Sequence, residues 1–408
     1  MPNGCSSCSA IAKNPLWSRI GKKKRKSFNA STPMSDSKRI HVVAFDVPFP
    51  PDYGGVMDVY YRCRTLKNAG YHVILHCFEY GRGRQHDFSQ IAHEVHYYTR
   101  SKSILSWLSS KPFIVATRNS PALLYRLLQD DHPIVFEGQH CTFWLNHPQL
   151  SNRKKMVRLH NIEWQYYEGL SKRSNSFFER LYFKSEARKL KQHESELQHA
   201  TVLATISKSD TDYYQSRFEQ VIYIPVGFEH FPGKTTAQPH GPFCLFHGNL
   251  SVAENSEAVH WLLDAFQQTN ISEKLIIAGK NPDQSLVTAC SQHPNVQLIA
   301  NPDDLQLQEL MQNTCAHLII GFQHSGIKLK LLNALMTGKK CIVTPQIIAG
   351  SELDHLCTVI STPEELAQEL LSGKNLSEQE SANQLAEVRE LFSEKRLLEV
   401  VEKYLFKL

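Results

Sequence analysis

The sequence predicts an α/β protein built from two Rossmann-like domains. The chain has 408 residues, more than one hydrophobic core usually organises. From Arg39 onward, short apolar runs alternate with segments of helical periodicity. This alternation stops at a stretch rich in Gly, Pro and Thr and then starts again. We therefore expect one domain over residues 39–230, a linker over 231–242, and a second domain over 243–385.

The first domain opens with a strand, loop, helix and strand. RIHVVAFDV, starting at Arg39, has the length and composition of a buried parallel strand. The prolines and glycines of PFPPDYGG end it, and MDVYYRCRTLKNAG continues at helical spacing up to Gly70. YHVILHCF follows as the next strand. Such a unit builds a parallel sheet with a right-handed crossover.

Further strands follow at VHYYT, PIVFEGQH, KMVRLHNIE, TVLATIS and VIYIPVGFEH. Polar residues end each run. In open α/β sheets the ligand crevice lies beyond the carboxyl ends of the strands. This rule favours four residues as site candidates: Glu137, His140, His160 and Glu163.

The second half repeats the pattern with FCLFHGNLS, KLIIAG, VQLIA, AHLIIGF, KKCIVT and LCTVI, separated by helical segments. The last segment, residues 386–408, lies in an amphipathic helical region. We expect it to pack back across the first domain.

Charge is concentrated at the N-terminus. Residues 1–38 hold eight Lys and Arg against one Asp, so the net charge of +5 leaves −2 for the rest of the chain. A nearly neutral body argues against nucleic-acid binding. We interpret residues 1–38 as a disordered basic leader, with Met34 as an alternative start; a targeting or polyanion-binding patch at KKKRK is the other interpretation.

The cysteines and the apolar runs limit the other classes of function. Cys5 and Cys8 form a CxxC pair with no second pair or nearby His, so we expect no metal site there. The other cysteines are expected to be reduced core thiols. No run reaches the roughly 18 apolar residues of a membrane span, and no apolar signal peptide is evident. We expect a cytoplasmic protein.

The glycine-rich motifs of common nucleotide enzymes are missing. Neither first loop contains GxGxxG, and no GxxxxGK[ST] occurs. Dehydrogenase and kinase functions are therefore disfavoured.

Six segments in order carry a family resemblance: PFPPDYGGVMDVYYR, RLHNIEWQYY, ATISKSD, IPVGFEH, FHGNLSVAENSEAVHWL and GIKLKLLNALMTGKKCIVT. With them the chain resembles GT-B glycosyltransferases of group 1 (family 4), especially bacterial mannosyltransferase-like members. The resemblance implies two facing Rossmann-like domains, a nucleotide-sugar donor bound by the second domain, no metal or other cofactor, and retention of the anomeric configuration.

In the first domain, the resemblance places Gly54 and Gly55 beside the donor diphosphate, where the missing Cβ atoms allow close backbone approach. A tight turn that starts a helix is the structural alternative. Asp58 either orients a sugar hydroxyl or is a favourable carboxylate at a helix N-terminus. In the second domain, Gly248 and Asn249 are candidate phosphate contacts, or a plain turn.

The donor loop and its helix lie at Ser325 to Asn333. Lys328 and Lys330 lie two residues apart and do not share a helical face, so only one of them reaches the diphosphate if the helix has already begun. The resemblance favours Lys330. Two surface lysines are the alternative. Related proteins commonly carry Glu-x7-Glu here, whereas this chain has Ser325 and Asn333. Asn333 retains an amide for a ribose hydroxyl, but both carboxylates are missing.

On the acceptor side, His140 and His160 are candidate sugar or acceptor contacts. Imidazole titrates near neutrality and can accept a proton from an acceptor hydroxyl; an ordinary hydrogen-bonded polar residue at a strand end is the alternative. Glu137 and Glu163 are candidates to orient these imidazoles or to bind sugar hydroxyls; salt bridges are the alternative. The aromatic and basic stretch around Phe177 is either a surface for an anionic membrane or part of the core.

The resemblance implies transfer of a hexose from a nucleoside diphosphate sugar to a saccharide or lipid-linked acceptor, in cell-surface polysaccharide or glycoconjugate synthesis. The partners are the donor, the acceptor and the inner face of the membrane. A non-catalytic GT-B scaffold is the main alternative, because the Glu pair is missing. A nucleotide-sugar epimerase is the other.

Overall fold

The computed structural model describes residues 38–407, apart from 52–53, 85–86, 175, 228–241, 323–328, 350 and 352. The leader before Lys38, with Met34, Cys5 and Cys8, therefore lies outside the described residues. So do nearly all of the predicted linker and, in the donor loop, Ser325 and Lys328. Residues 38–408 form one compact unit.

The first sheet has seven parallel strands in the order β3-β2-β1-β4-β5-β6-β7. The strands are β1 Arg39–Ala44, β2 His72–Glu79, β3 Glu94–Thr99, β4 Ile134–Glu137, β5 Lys155–Leu159, β6 Val202–Thr205 and β7 Val221–Tyr223. β1 and β4 are neighbours although two strands separate them in sequence. This reversal of strand order opens the crevice at their carboxyl ends.

Helices connect these strands: α1 Gly54–Asn68, α2 Ile104–Leu108, α3 Phe113–Ala116, α4 Pro121–Leu127, α5 Glu163–Arg173, α6 Phe177–His193 and α7 Lys208–Gln215. Short 3-10 helices cover Gln139–Trp144, Pro148–Leu150 and Glu194–His199. Serine hydroxyls cap four of these helices: Ser103, Ser120, Ser176 and Ser207 each accept a backbone N–H from the first turn.

The second sheet has six parallel strands in the order β10-β9-β8-β11-β12-β13. They are β8 Phe243–Asn249, β9 Lys274–Lys280, β10 Val296–Ala300, β11 Ala316–Ile319, β12 Lys340–Val343 and β13 Thr358–Val359. The helices are α8 Ala253–Gln268, α9 Gln284–Ser291, α10 Asp304–Asn313, α11 Leu329–Leu335, α12 Pro345–Ile348, α13 Pro363–Leu371, α14 Glu378–Leu391 and α15 Glu394–Val401. A 3-10 turn covers Asp354–Leu356, and a π-helical turn, Glu402–Phe406, follows α15.

The C-terminal helix belongs to the core of the first domain. Leu397, Val400, Val401 and Leu405 are buried among side chains of β1, β2 and α1. Each such side chain contributes about 1.5–3 kcal/mol when fully buried. The chain crosses between the domains at Phe392 and Ser393, because α14 packs on α11 in the second domain.

The predicted fold class is confirmed: two α/β domains with parallel sheets and a C-terminal helix that packs back on the first. In the described part of the chain, no helix combines the length and apolar character that crossing a bilayer requires.

Candidate functional site

A cavity of about 560 Å³ lies where the two domains face each other. Gly54 and Gly55 at the start of α1 line it, and so do three other predicted site residues, His140, His160 and Glu163. Leu329, the first residue of α11, lines it from the second domain. A Cβ atom placed on Gly54 would lie 3.5 Å from the Leu329 side chain. The N-terminus of α1 therefore faces the second domain directly.

A buried network of charged side chains lies beneath the cavity. Arg158 donates to both carboxylate oxygens of Asp58, at 3.0 and 3.1 Å. Arg62 bridges the carboxylates of Asp58 and Glu137, at 2.5 and 2.9 Å. Burial alone would raise the pKa of Asp58, but Arg158 and Arg62 hold it well below its ordinary value. Asp58 is thus an ionised structural anchor.

Glu137 lies behind the wall of the cavity. It is fully buried, and its Oε2 lies 3.3 Å from Nε2 of His160. The geometry therefore suits the predicted orienting role better than direct contact with a sugar.

Asp58, Glu137 and His160 bring their ligand atoms within 4.8 Å of one another, a spacing compatible with a metal ion. Arg62 and Arg158, however, already neutralise the two carboxylates. A divalent cation would have to displace these guanidiniums, so the donor set is a poor fit for a metal. Metal independence stays a prediction.

His140 presents an unpartnered nitrogen next to the cavity. Its Nδ1 is buried without a hydrogen bond, 3.9 Å from Oε1 of Glu163. The preceding Gly138 has φ +71°, and a Cβ there would approach Nδ1 to 2.8 Å, so only glycine fits the turn. Burial, with Arg118, lowers the pKa of His140 well below its ordinary value. The imidazole is therefore neutral at neutral pH.

Glu163, the first residue of α5, is buried and protonated at neutral pH. Burial first, and Asp210 second, raise its pKa to about 8. Burial also raises the pKa of Asp210, to about 6. A neutral carboxyl group can donate a hydrogen bond as well as accept one.

On the donor side, Lys330, Gly248 and Asn249 come together at the carboxyl end of β8. Lys330 donates to the carbonyl of Ile320 at 3.1 Å and to Asn255 Oδ1 at 3.3 Å. Its ammonium also lies 5.2 Å from the centre of the Phe246 ring. The side chain of Asn255 donates to the carbonyl of Asn249.

Asn333 lies one turn after Lys330 on α11 and is half-buried. Residues three apart share a helical face, so the two side chains lie on one side of α11. Lys328 is outside the described residues.

Three residues of the cleft were missed from the sequence. Arg100 and Arg118 line the cavity, and Asn255 holds Lys330. Arg100 directly follows β3, so the rule that ligand crevices lie beyond the carboxyl ends of strands could have identified it. Arg118 follows the short α3, and nothing in the local sequence distinguishes this buried arginine from arginines on the surface.

Residues 241–372 match the family model described as "Glycosyl transferases group 1". An uncharacterised 44.6 kDa protein in the cps region of Klebsiella pneumoniae is 26% identical over 334 residues, which cover 78% of this chain and 85% of the relative.

Solved structures show the same architecture. Anabaena Alr3699/HepE in complex with UDP superposes with a TM-score of 0.61 at 13% identity, covering 90% of this chain and all of that one. TarM, from S. aureus, superposes with a TM-score of 0.63 at 9% identity, covering 92% and 100%. The chain has the two-domain GT-B fold, and its second domain is similar to group 1 glycosyl transferases.

Proposed function

We propose that the protein is a glycosyltransferase that moves a hexose from a nucleoside diphosphate sugar to a hydroxyl of a saccharide or lipid-linked acceptor. One observation carries the proposal. The interdomain cavity has a domain similar to group 1 glycosyl transferases on one side, and a neutral histidine with an unpartnered nitrogen on the other.

On the donor side, the Lys330 ammonium stabilises the negative charge that develops on the leaving diphosphate. Gly248 leaves room for the side chain of Asn255, which a Cβ there would approach to 3.0 Å. Asn249 and Asn333 supply amides for the phosphates and a ribose hydroxyl. UDP is bound in the Anabaena structure, which supports a nucleoside diphosphate as the leaving group here.

On the acceptor side, His140 is the candidate base, because its imidazole is neutral and its Nδ1 makes no hydrogen bond. Burial lowers its pKa, so it is a weaker base than a free imidazole. His160 contacts Glu137 and faces the same space. Glu163, in its neutral form, donates a hydrogen bond to a sugar oxygen. Transfer without a metal, and with retention of the anomeric configuration, is part of the proposal as the resemblance implies.

The acceptor belongs to cell-surface polysaccharide or glycoconjugate synthesis in this proposal. The Klebsiella relative comes from a cps region. We also propose that the donor sugar is mannose, because the sequence resembles mannosyltransferase-like members of the group.

We also propose a cytoplasmic location with peripheral contact at the inner face of the membrane. The side chains of Phe177 and Phe178 at the start of α6 are 73% and 82% exposed, and Leu181 is exposed beside them. Exposed cations surround them: Lys172, Arg173, Arg180, Lys184 and Arg188. Apolar side chains within a basic surface suit anionic lipid.

A non-catalytic scaffold is the second candidate function. Asn333 on α11 provides no carboxylate at the position where related sequences carry one. Stable complexes with a partner protein, together with weak donor binding, would favour this alternative.

The test is a calorimetric and thermal-shift screen of the full chain against UDP, GDP, their common sugar conjugates and NAD, with EDTA present. We expect one nucleotide sugar to bind selectively, and binding to be lost in Lys330→Ala. Lys274→Ala is the matched control, because Lys274 lies at the start of β9, whereas Lys330 lies at the carboxyl end of the neighbouring β8. If the folded protein binds no nucleotide, the transferase proposal is wrong.

A further inference from the structure

Two arginines in the first domain border the cavity with little exposure to solvent. Arg100, directly after β3, is 8% exposed, and Arg118, after α3, is 3% exposed. Arg100 donates from Nε and Nη2 to the Thr117 hydroxyl, at 3.2 and 2.9 Å. Arg118 donates to the backbone carbonyls of Ile114 and Phe45, at 2.6 and 2.9 Å.

Neither guanidinium forms an ion pair among the residues described; the charge of Asp46 acts on Arg118 only from beyond 4.0 Å. No carboxylate oxygen of that part of the chain lies within 4.0 Å of either group. The Nε–H of Arg118 is buried and donates no hydrogen bond. Because a buried cation without a counter-ion costs several kcal/mol, such a pair is typical of a site that an anionic ligand completes.

The other groups around the cavity do not neutralise the arginines. Glu163 is the one carboxyl among the described lining residues, and it is protonated at neutral pH because its pKa is raised to about 8. Burial lowers the pKa of Arg118 to about 10, so this guanidinium remains charged at neutral pH. The first-domain side of the cavity is therefore cationic.

Aromatic rings accompany the two charges. The guanidinium of Arg100 lies 4.4 Å from the centre of the Tyr80 ring, and Tyr166 and Tyr167 of α5 line the same cavity. Flat rings pack against the apolar faces of sugars, while a guanidinium binds phosphate or carboxylate through paired N–H groups. Together they suit a sugar that carries a negative group.

We infer that Arg100 and Arg118 form an acceptor subsite for an anionic group, a phosphate or a carboxylate. The acceptor is then an acidic saccharide, a sugar phosphate or a saccharide linked to lipid through phosphate. This inference rests on the proposed transferase function and names its acceptor class. Lys330, the proposed donor-side cation, lies in the second domain, whereas both arginines lie in the first.

The test measures acceptor binding by calorimetry on the full chain with UDP present at saturation, so that the diphosphate site is already filled. The probes are glucose 6-phosphate, glucuronate and glucose, and phosphatidylcholine vesicles with or without farnesyl phosphate. The variants are Arg100→Gln and the charge-retaining Arg118→Lys. Arg84→Gln is the matched control, because Arg84 is an exposed arginine of the same domain outside the cavity.

We expect at least one anionic probe to bind about tenfold or more tightly than its neutral counterpart. Arg100→Gln should lose that preference, Arg118→Lys should weaken it, and Arg84→Gln should keep it. The anionic probe that binds identifies the source: a free phosphate, a carboxylate or a lipid phosphate. UDP affinity should stay unchanged in Arg100→Gln.

The inference would be overturned by equal binding of charged and neutral probes, or by the same affinities in Arg100→Gln and Arg84→Gln. In either case, UDP binding by the wild-type chain would still support the transferase proposal. If UDP itself does not bind the folded wild-type chain, the proposed function fails, and the acceptor subsite fails with it.

Discussion

At the scale of single residues, Glu163 connects the cavity to the pH dependence of stability. Its pKa is about 8 in the folded protein, because of burial and the neighbouring Asp210, against about 4.3 for an unperturbed Glu. Between these values the folded state binds a proton that the unfolded state has lost. This residue therefore makes the protein less stable as pH rises through that window.

Glu163→Gln should remove this dependence, because an amide does not titrate. We expect the loss of unfolding free energy between about pH 5 and pH 8 to be smaller in the variant by a few kcal/mol. Urea unfolding at several pH values measures it. Glu257→Gln, at an exposed position, is the control, and parallel profiles for wild type and Glu163→Gln would contradict the prediction.

The rule on strand ends names three residues that line the cavity, but it does not show which strand-end side chains are buried. Because polar groups at the carboxyl ends of parallel strands meet at one edge, His140, His160 and Glu163 were found, and all three line the cavity. Glu137 obeys the same rule, yet it is buried against Arg62. Whether a strand-end side chain faces the cavity or the interior depends on packing from distant segments, which local sequence does not reveal.

At the scale of elements, α6 is divided between two environments. Near its end it buries Ala187, Leu190 and His193, whereas its first turns expose Phe177 and Phe178. The sequence predicted the helix from its periodicity, but both a core position and a membrane surface remained open for the aromatic residues. The structure shows that these two rings are not part of the core.

The double change Phe177→Ser/Phe178→Ser should weaken binding to vesicles that contain anionic phospholipid by about tenfold or more, since each buried ring contributes about 1.5–3 kcal/mol. Sedimentation with vesicles measures the bound fraction. Leu305→Ser removes an equally exposed apolar side chain, 71% exposed, from α10 of the second domain. Equal loss in both proteins would show that the start of α6 is not the contact surface.

The C-terminal region shows a limit of reading elements from periodicity. One amphipathic pattern runs through residues 386–408, but the structure divides the region between α14 and α15 at Phe392 and Ser393. α14 stays with the second domain, and α15 joins the first. The two helices have similar apolar faces, so the pattern alone did not show where the chain changes domain.

At the scale of the whole molecule, the Asp58–Arg158 pair holds the chain where it leaves the first sheet. Arg158 also donates to the carbonyls of Ile224 and Pro225, and the backbone N–H of Gly227 donates to Asp58. From the returning segment, Arg396 donates to the carbonyl of Tyr223 at 2.8 Å. The segment that leaves the first domain and the segment that returns to it are therefore both hydrogen-bonded at the same end of the first sheet.

Asp58→Asn should lower the unfolding free energy by about 3–5 kcal/mol, because it leaves Arg158 as a buried charge without its carboxylate. Equilibrium unfolding in urea measures the change. Asp212→Asn breaks an exposed pair with Lys208 and should cost less than about 1 kcal/mol. A similar, small effect in both variants would show that the buried network does not anchor the fold.

The return of α15 to the first domain also sets an order on folding during synthesis. Leu397, Val400 and Val401 complete the core around β1 and β2, yet the ribosome makes them only after the whole second domain. While that domain emerges, the first sheet carries an unfinished apolar surface, the kind of surface that chaperones bind. The domain that is begun first is therefore the one that is finished last.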